Sequence, residues 1–453
     1  MPNYVCKVQV HGLFHRYGID VSFRPGINVL YGRNGSGKTT LLHILANVLN
    51  ESYERFAELP FDRIEVTTTE NGTLRIRRGR GHGAKLVVEQ DGKLVIDESI
   101  EEIRRRDYLG STLERSDRSR TVSTPSHAYF PAFRTAIEAW AESSSEESRP
   151  PYPSYLSWRA ANGMDRTRLR RRDLRMTAFA RRLFGPFVPT IDYPSPLEIQ
   201  EELSAKARVQ AYDVASHSQR ILSDAFIGAI GALPQPKTPE EQTDPETILT
   251  QIRALLEELD QVDLAGGSQP AADHANDLYP HIREMLPMLN SEKLSDTAAR
   301  VLLVFKESLE RQIELRRQAF ATISKYIEAV NEFLEQKQLT LSRDRFQAVL
   351  EFDKGGTKPL NVLSSGERQI VTMLYAATYL SQRGNVVLID EPEISLHVDW
   401  QRRLLPKMAE QLGERQVIVC THSPEIGADY EEAIQEMETI PETDLSPEPD
   451  EEA

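Results

Sequence analysis

Gly32-Arg33-Asn34-Gly35-Ser36-Gly37-Lys38-Thr39 decides how the rest of this chain is read. Its glycines let the backbone curl around a polyphosphate and turn N–H groups toward it. The lysine after the last glycine has the reach for the β- and γ-phosphates, and the threonine hydroxyl suits Mg²⁺. The flanks supply the context that such a loop needs: residues 27–31 read as a buried strand and 39–49 as an apolar helix. Gly32, Asn34, Gly35, Ser36, Gly37, Lys38, Thr39 and Thr40 are therefore the candidate nucleotide ligands. ATP and Mg²⁺ are the expected cofactors, and Lys38 is also a candidate catalytic cation.

Working outward, the apolar run Val386-Val387-Leu388-Ile389 delivers two carboxylates at its end, Asp390 and Glu391. The first, together with Thr39, is the candidate metal ligand; the second, one residue on, points elsewhere and is the candidate general base for an attacking water. Leu363-Ser364-Ser365-Gly366-Glu367 opens an apolar helix, so a serine hydroxyl, glycine N–H and a helix N-terminus combine as an anion site. His422, in Thr421-His422-Ser423-Pro424, follows a buried strand at 417–420 and completes the candidate catalytic set with Glu391 and Lys38.

In this order the motifs resemble those of ABC-type ATPases. The resemblance implies that Ser364, Ser365, Gly366 and Glu367 are the signature segment, which binds the γ-phosphate held by another subunit's loop. The working unit is then a head-to-tail dimer, or a higher oligomer, with shared ATP sites. Ser395-Leu396-His397-Val398-Asp399 takes the position of the loop that crosses that interface, and His422 that of the switch histidine. Ser365 and Glu367 stand where Gly and Gln are usual, the variant common in chromosome-maintenance, repair and defence ATPases.

A transporter's signature follows the phosphate loop after about a hundred residues, whereas here the stretch 40–362 intervenes. That spacing resembles the Rad50, RecF and structural-maintenance class. The motif details look like the ATPases that accompany separate nuclease or toxin subunits in phage defence, of the Septu and PARIS type. They also resemble overcoming-lysogenization-defect heads, which continue into a Toprim nuclease. Only 423–453 follow His422, mostly acidic, so any nuclease is expected on another polypeptide. The alternative function is a repair ATPase that clamps duplex DNA. No glutamine marks the loop expected between the phosphate loop and the signature. Tyr129-Phe130-Pro131-Ala132-Phe133-Arg134 resembles the segment in that region, where Arg134 either contacts nucleotide, couples it to the insertion, or is a surface arginine.

The predicted fold is α/β: an ATPase head with a small antiparallel β lobe and a large, mainly helical insertion. Alternating runs at 5–10, 19–23, 63–68, 73–77, 85–88 and 93–96, with turns at Asn71-Gly72 and Asp91-Gly92, supply the lobe. Apolar runs alternating with helices near the C-terminus argue for a parallel sheet. From Leu302 to Leu334 apolar residues recur at three- and four-residue steps, one face of a long helix. The expected domains are 1–135 and 341–430 as two halves of the head, 136–340 as the insertion, and 431–453 as an acidic tail without structure, with ten carboxylates and no Lys or Arg.

The formal charge of −15 coexists with an arginine cluster at Arg166, Arg168, Arg170, Arg171, Arg172 and Arg175. Nucleic-acid phosphate, an acidic partner and plain solvent all suit it. No stretch reaches the roughly 18 apolar residues that cross a bilayer, and residues 1–10 lack a signal-peptide core, so no membrane association and a cytoplasmic location are expected. Cys6 and Cys420 read as buried, reduced thiols.

Overall fold

The computed structural model describes residues 4–69, 72–108, 127–134, 175–191, 193–232, 245–266, 296–342, 346–379, 386–413, 415–438 and 440–441. Arg166 to Arg172 of the arginine cluster lie outside them; Arg175 is exposed. The chain divides into two units, Met1–Ser195 with Ser364–Ala453, and Pro196–Leu363.

In the first unit, β1 (Val5–Leu13), β2 (Tyr17–Ser22), β4 (Arg63–Thr68), β5 (Gly72–Arg78), β6 (Lys85–Gln90) and β7 (Lys93–Ser99) are antiparallel neighbours. β1, β2, β4, β5 and β6 alternate buried with more open positions, as a sheet with one covered face demands, whereas β7 buries no residue fully. The β6–β7 turn has φ +48° at Asp91 and +77° at Gly92, the left-handed pair of a tight hairpin. The second sheet is parallel and runs β14 (Ile434–Glu436), β3 (Gly26–Tyr31), β13 (Gln416–Thr421), β12 (Val386–Asp390), β8 (His127–Phe130). Its central strands β12 and β13 are buried at every position, which is why they read as continuous apolar runs.

Helix α1 (Lys38–Leu49) is covered almost all round. Leu41, Leu42 and Leu45 share one buried cluster with Val8, Val10, Ile64 and Leu74 of the antiparallel sheet and with Leu30, Leu388 and Ile418 of the parallel one. Each such side chain contributes about 1.5–3 kcal/mol of transfer free energy, so the phosphate loop is anchored from behind by the densest part of the core. Gln416, fully buried, ties the layers by hydrogen bonds: it accepts from Val5 N at 3.0 Å and donates to Val5 O at 2.8 Å and Arg24 O at 3.0 Å. Helix α2 (Ile100–Tyr108) follows β7.

The second unit holds α3 (Pro196–Ala232), α4 (Pro245–Gly266) and α5 (Asp296–Asn331). Ile248, Ile252 and Leu256 bury against Leu309 and Ile313, which carry the apolar face expected on the last helix. A three-stranded antiparallel sheet, β9 (Lys337–Leu341), β10 (Ala348–Phe352) and β11 (Thr357–Lys358), belongs to this unit. Ala348 N donates to Ser204 Oγ and Leu360 N to Gln200 Oε1, each at 2.9 Å. These bonds to α3 explain why 341–363, assigned from sequence to the head, groups with the helices, and the cut falls at 363/364. The first unit then resumes with α6 (Ser365–Tyr379) and α7 (Val398–Leu412).

Two sequence expectations need correction. The tail does not lose structure at 431: β14 adds to the parallel sheet beside β3, Met437 N donates to Tyr31 O at 2.7 Å, and β15 (Ile440–Pro441) pairs with β2. Ile434, Met437 and Ile440 give this acidic stretch enough apolar side chains to close the sheet edge, and Met437 is 3% exposed. Cys420 is buried, whereas Cys6 is only partly so, because β1 lies in the sheet that alternates. No described helix is long and apolar enough to cross a membrane.

Candidate functional site

Strand register builds the site. Leu30 pairs with Cys420, and Cys420 with Asp390, so the residues that follow, Tyr31-Gly32, Thr421-His422 and Glu391, leave the parallel sheet at one edge. Carboxyl ends of parallel strands are where α/β folds place ligands. Gly35 (φ +83°) and Gly37 (φ +85°) are left-handed, a conformation that costs glycine nothing. Gly37 caps α1 without a side-chain cap, and the first turn carries no acidic residue. The helix N-terminus is thus open toward an anion.

Lys38 Nζ donates to Gly32 O at 2.7 Å and Arg33 O at 3.1 Å, and approaches Ser36 Oγ at 3.5 Å. It also reaches His422 Nδ1 at 3.5 Å. Because an ammonium only donates, this contact leaves the ring hydrogen on Nε2, facing Glu391 Oε1 at 3.6 Å. Burial pulls the Lys38 ammonium below the usual lysine range, with Cys420, Glu391 and Asp390 pulling back. Thr39 Oγ1 donates to Asp390 Oδ2 at 2.9 Å. The structure therefore gathers Lys38, Thr39, Asp390, Glu391 and His422 from three strand ends. Asn34, exposed on the loop, and Thr40, half-buried on α1, sit outside these hydrogen bonds.

Asp390 is 1% exposed, and its Oδ1 is buried with no hydrogen-bond partner. Burial raises its pKa to about 7, Glu391 adding to the rise and the Thr39 hydrogen bond opposing it. An orphaned carboxylate oxygen beside a threonine hydroxyl is the donor set for Mg²⁺, which takes one or two protein oxygens and fills its octahedron with water and phosphate. Among the described residues no cluster of three or more His, Cys, Asp or Glu forms an all-protein metal cage.

Ser364 and Glu367 form a reciprocal cap on α6: Ser364 N donates to Glu367 Oε2 at 2.7 Å and Glu367 N to Ser364 Oγ at 3.4 Å. Ser364 and Ser365 are exposed, Gly366 and Glu367 buried. No hydrogen bond among the described residues joins Ser364, Ser365 or Gly366 to the Lys38 cluster. Gly366 packs against the 391–395 turn so closely that a Cβ would lie 2.6 Å from Ser395 O. In that turn Glu391 (φ +46°) and Ser395 (φ +66°) hold left-handed conformations unusual for their side chains. His397 caps α7, accepting from Asp399 N at 3.4 Å.

One residue escaped the sequence reading, and for another that reading left three roles open. Glu393 Oε1 accepts from His422 N at 2.7 Å and Ser423 N at 3.1 Å, holding the histidine loop to the carboxylate turn. Arg134 is not a surface arginine: it is 1% exposed and donates to the carbonyls of Pro131, Asp390 and Glu391 and to Gln369. The aromatic-proline flank was a signal for Arg134; a lone glutamate gave none.

Comparison with known proteins agrees with this geometry. The family described as "AAA domain, putative AbiEii toxin, Type IV TA system" matches residues 264–429, and a second, described as "AAA domain", matches 8–130. The segments that carry Lys38 and Asp390 are thus each similar to a family described as an AAA domain. The chain is similar to the "Retron Ec83 probable ATPase" of Escherichia coli, 26% identical over 148 residues, 30% of this chain and 27% of that one. The match therefore spans about a quarter of the relative's length. Among solved structures it resembles the Smc head domain with an extended coiled coil bound to the C-terminal domain of ScpA from Pyrococcus furiosus (TM-score 0.40, 13% identity, 97% of this chain and 96% of that). A further likeness is to the SmcHead bound to the C-winged helix domain of ScpA (TM-score 0.39, 12% identity, 97% and 98%).

Proposed function

We propose that the chain is the ATP-hydrolysing, regulatory subunit of a bacterial anti-phage defence complex of the Septu or PARIS kind, and that it controls a separate nuclease or toxin. The convergence of Lys38, Thr39, Asp390, Glu391 and His422 at one sheet edge carries the ATPase reading. The retron ATPase and AbiEii likenesses support the defence setting.

The loop N–H groups and Lys38 hold the triphosphate. Thr39 and Asp390 hold Mg²⁺, which when bound neutralises charge on the β- and γ-phosphates. Glu391 draws a proton from the attacking water, and His422, whose Nε2 lies 3.6 Å from Glu391 Oε1, contacts the γ-phosphate. Ser364, Ser365 and Gly366, at the exposed start of α6, complete the site of a second copy. Two copies in head-to-tail arrangement then share two sites.

Two measurements on the full chain test this. Mg²⁺-dependent ATP hydrolysis should be present and lost in Lys38→Ala. Expression of the chain with its genomic neighbours should yield a stable complex with a nuclease or toxin subunit. Tight ATP-dependent binding of duplex DNA by the isolated chain, with no such complex, would instead establish a repair clamp.

A further inference from the structure

The buried guanidinium of Arg134 occupies the place where the parallel sheet runs out of donors. Strand β8 pairs with β12 up to Phe130 opposite Ile389, and the next residue is Pro131, which has no N–H to continue the ladder. Beyond that point Arg134 supplies the missing donors. One terminal nitrogen donates to Pro131 O at 3.0 Å and Asp390 O at 3.1 Å; the other donates to Glu391 O at 3.3 Å and Gln369 Oε1 at 2.9 Å. Its own carbonyl accepts from Tyr193 Oη at 3.5 Å, and the Tyr193 ring stacks on Phe130. Side chain and backbone of Arg134 are both fixed.

Glu391 is correspondingly held on both sides of its Cα. Its N–H donates to Cys420 O at 2.8 Å and its C=O accepts from Arg134. Between them lies a φ of +46°, a left-handed conformation that a glutamate keeps only where its surroundings impose it. The fourth acceptor, Gln369, lies on α6, two residues after Glu367 of its capping segment, and is 2% exposed. A single rigid fork thus joins the first turns of α6 to the peptide that aims the Glu391 carboxylate.

Resting on the ATPase reading above, we infer that Arg134 is a positioning residue for hydrolysis. It fixes the backbone of Glu391 so that the carboxylate meets the attacking water, and through Gln369 it links that aim to the seating of α6. A second copy that docks on Ser364 and Ser365 therefore acts on Glu391 through Gln369 and Arg134.

The test is steady-state hydrolysis and equilibrium binding of a fluorescent ATP analogue, on the full chain with Mg²⁺. Arg134→Met should lower kcat about a hundredfold, the scale of a misplaced catalytic group, while nucleotide Kd stays within about threefold. Gln369→Met, nearly isosteric and expected to fold, should lower kcat by about tenfold with the same unchanged Kd. In the double variant the two losses should not multiply, because both cut one link. If Gln369→Met leaves kcat unchanged, or if the double variant loses the product of the two, the link does not exist. If Arg134→Met raises Kd in step with its loss of kcat, Arg134 is structural or binds nucleotide. A wild-type chain that binds ATP without hydrolysing it sinks the ATPase reading itself, and the inference with it.

Discussion

Thr39 Oγ1 donates to Asp390 Oδ2 across 2.9 Å although 351 positions separate the two residues. This bond joins the phosphate loop near one end of the sequence to the carboxylate strand near the other.

Removing the hydroxyl should expose the metal's dependence on this pair. In Thr39→Ala, Asp390 keeps two buried oxygens with no hydrogen from Thr39, and Mg²⁺ loses one ligand. Hydrolysis should fall by about two orders of magnitude, and the Mg²⁺ concentration for half-maximal rate should rise, whereas Thr39→Ser should stay near wild type. A magnesium titration of the three proteins decides it; equal curves would place the metal elsewhere.

His43 lies buried on α1, its Nε2 2.8 Å from Tyr129 Oη, and burial depresses its pKa from 6.5 to about 4. Between these values the unfolded chain takes up a proton that the folded chain refuses. Stability is therefore complete above pH 6.5 and declines as pH falls toward 4, by about 3 kcal/mol in all. Thermal unfolding from pH 7.5 to 4.5 should show a steeper loss for wild type than for His43→Gln. Parallel curves would contradict the assignment.

Gln416 satisfies Val5 N, Val5 O and Arg24 O inside the core. Gln416→Leu keeps the volume but takes this partner from Val5 N and Val5 O, while Arg24 O keeps its bond from Asn28 Nδ2, a cost of about 2–4 kcal/mol. A lowered unfolding temperature with unaltered nucleotide affinity is the expected result.

At Gly366 an added methyl would meet Ser395 O at 2.6 Å. Gly366→Ala must push α6 away from the 391–395 turn, so hydrolysis should drop at least about tenfold while binding of ATP to Lys38 and its loop persists. A variant with wild-type kcat would show that this close approach has no bearing on the chemistry.

Contiguous motifs made much of this legible in sequence. The glycine loop, Asp390-Glu391 and His422 each follow a strand whose apolar run is itself a signal, and the hairpins announce themselves through alternation and Asp91-Gly92. What stayed hidden is carried by single side chains that serve distant backbone groups. Glu393 and Gln416 take over hydrogen bonds where strands end or sheets meet, as does Arg134, whose flank was legible but whose partners were not, and a long-range partner leaves no periodic mark. The short strands at 434–436 and 440–441 were masked by acidic composition, since two or three apolar residues suffice to close an edge already offered by β3 and β2. The unit boundary at 363/364 falls inside the signature motif, where no change of composition marks it.

The shared site is tested most directly by sedimentation velocity on Glu391→Gln. That substitution removes the base but leaves Lys38, Thr39 and Asp390 to hold MgATP. With saturating ATP and Mg²⁺ the variant should sediment as a dimer or larger closed assembly with one ATP bound per chain, and return to the nucleotide-free form when Mg²⁺ is chelated. A variant that binds ATP and stays monomeric would contradict a site completed by the Ser364, Ser365 and Gly366 segment of a second copy.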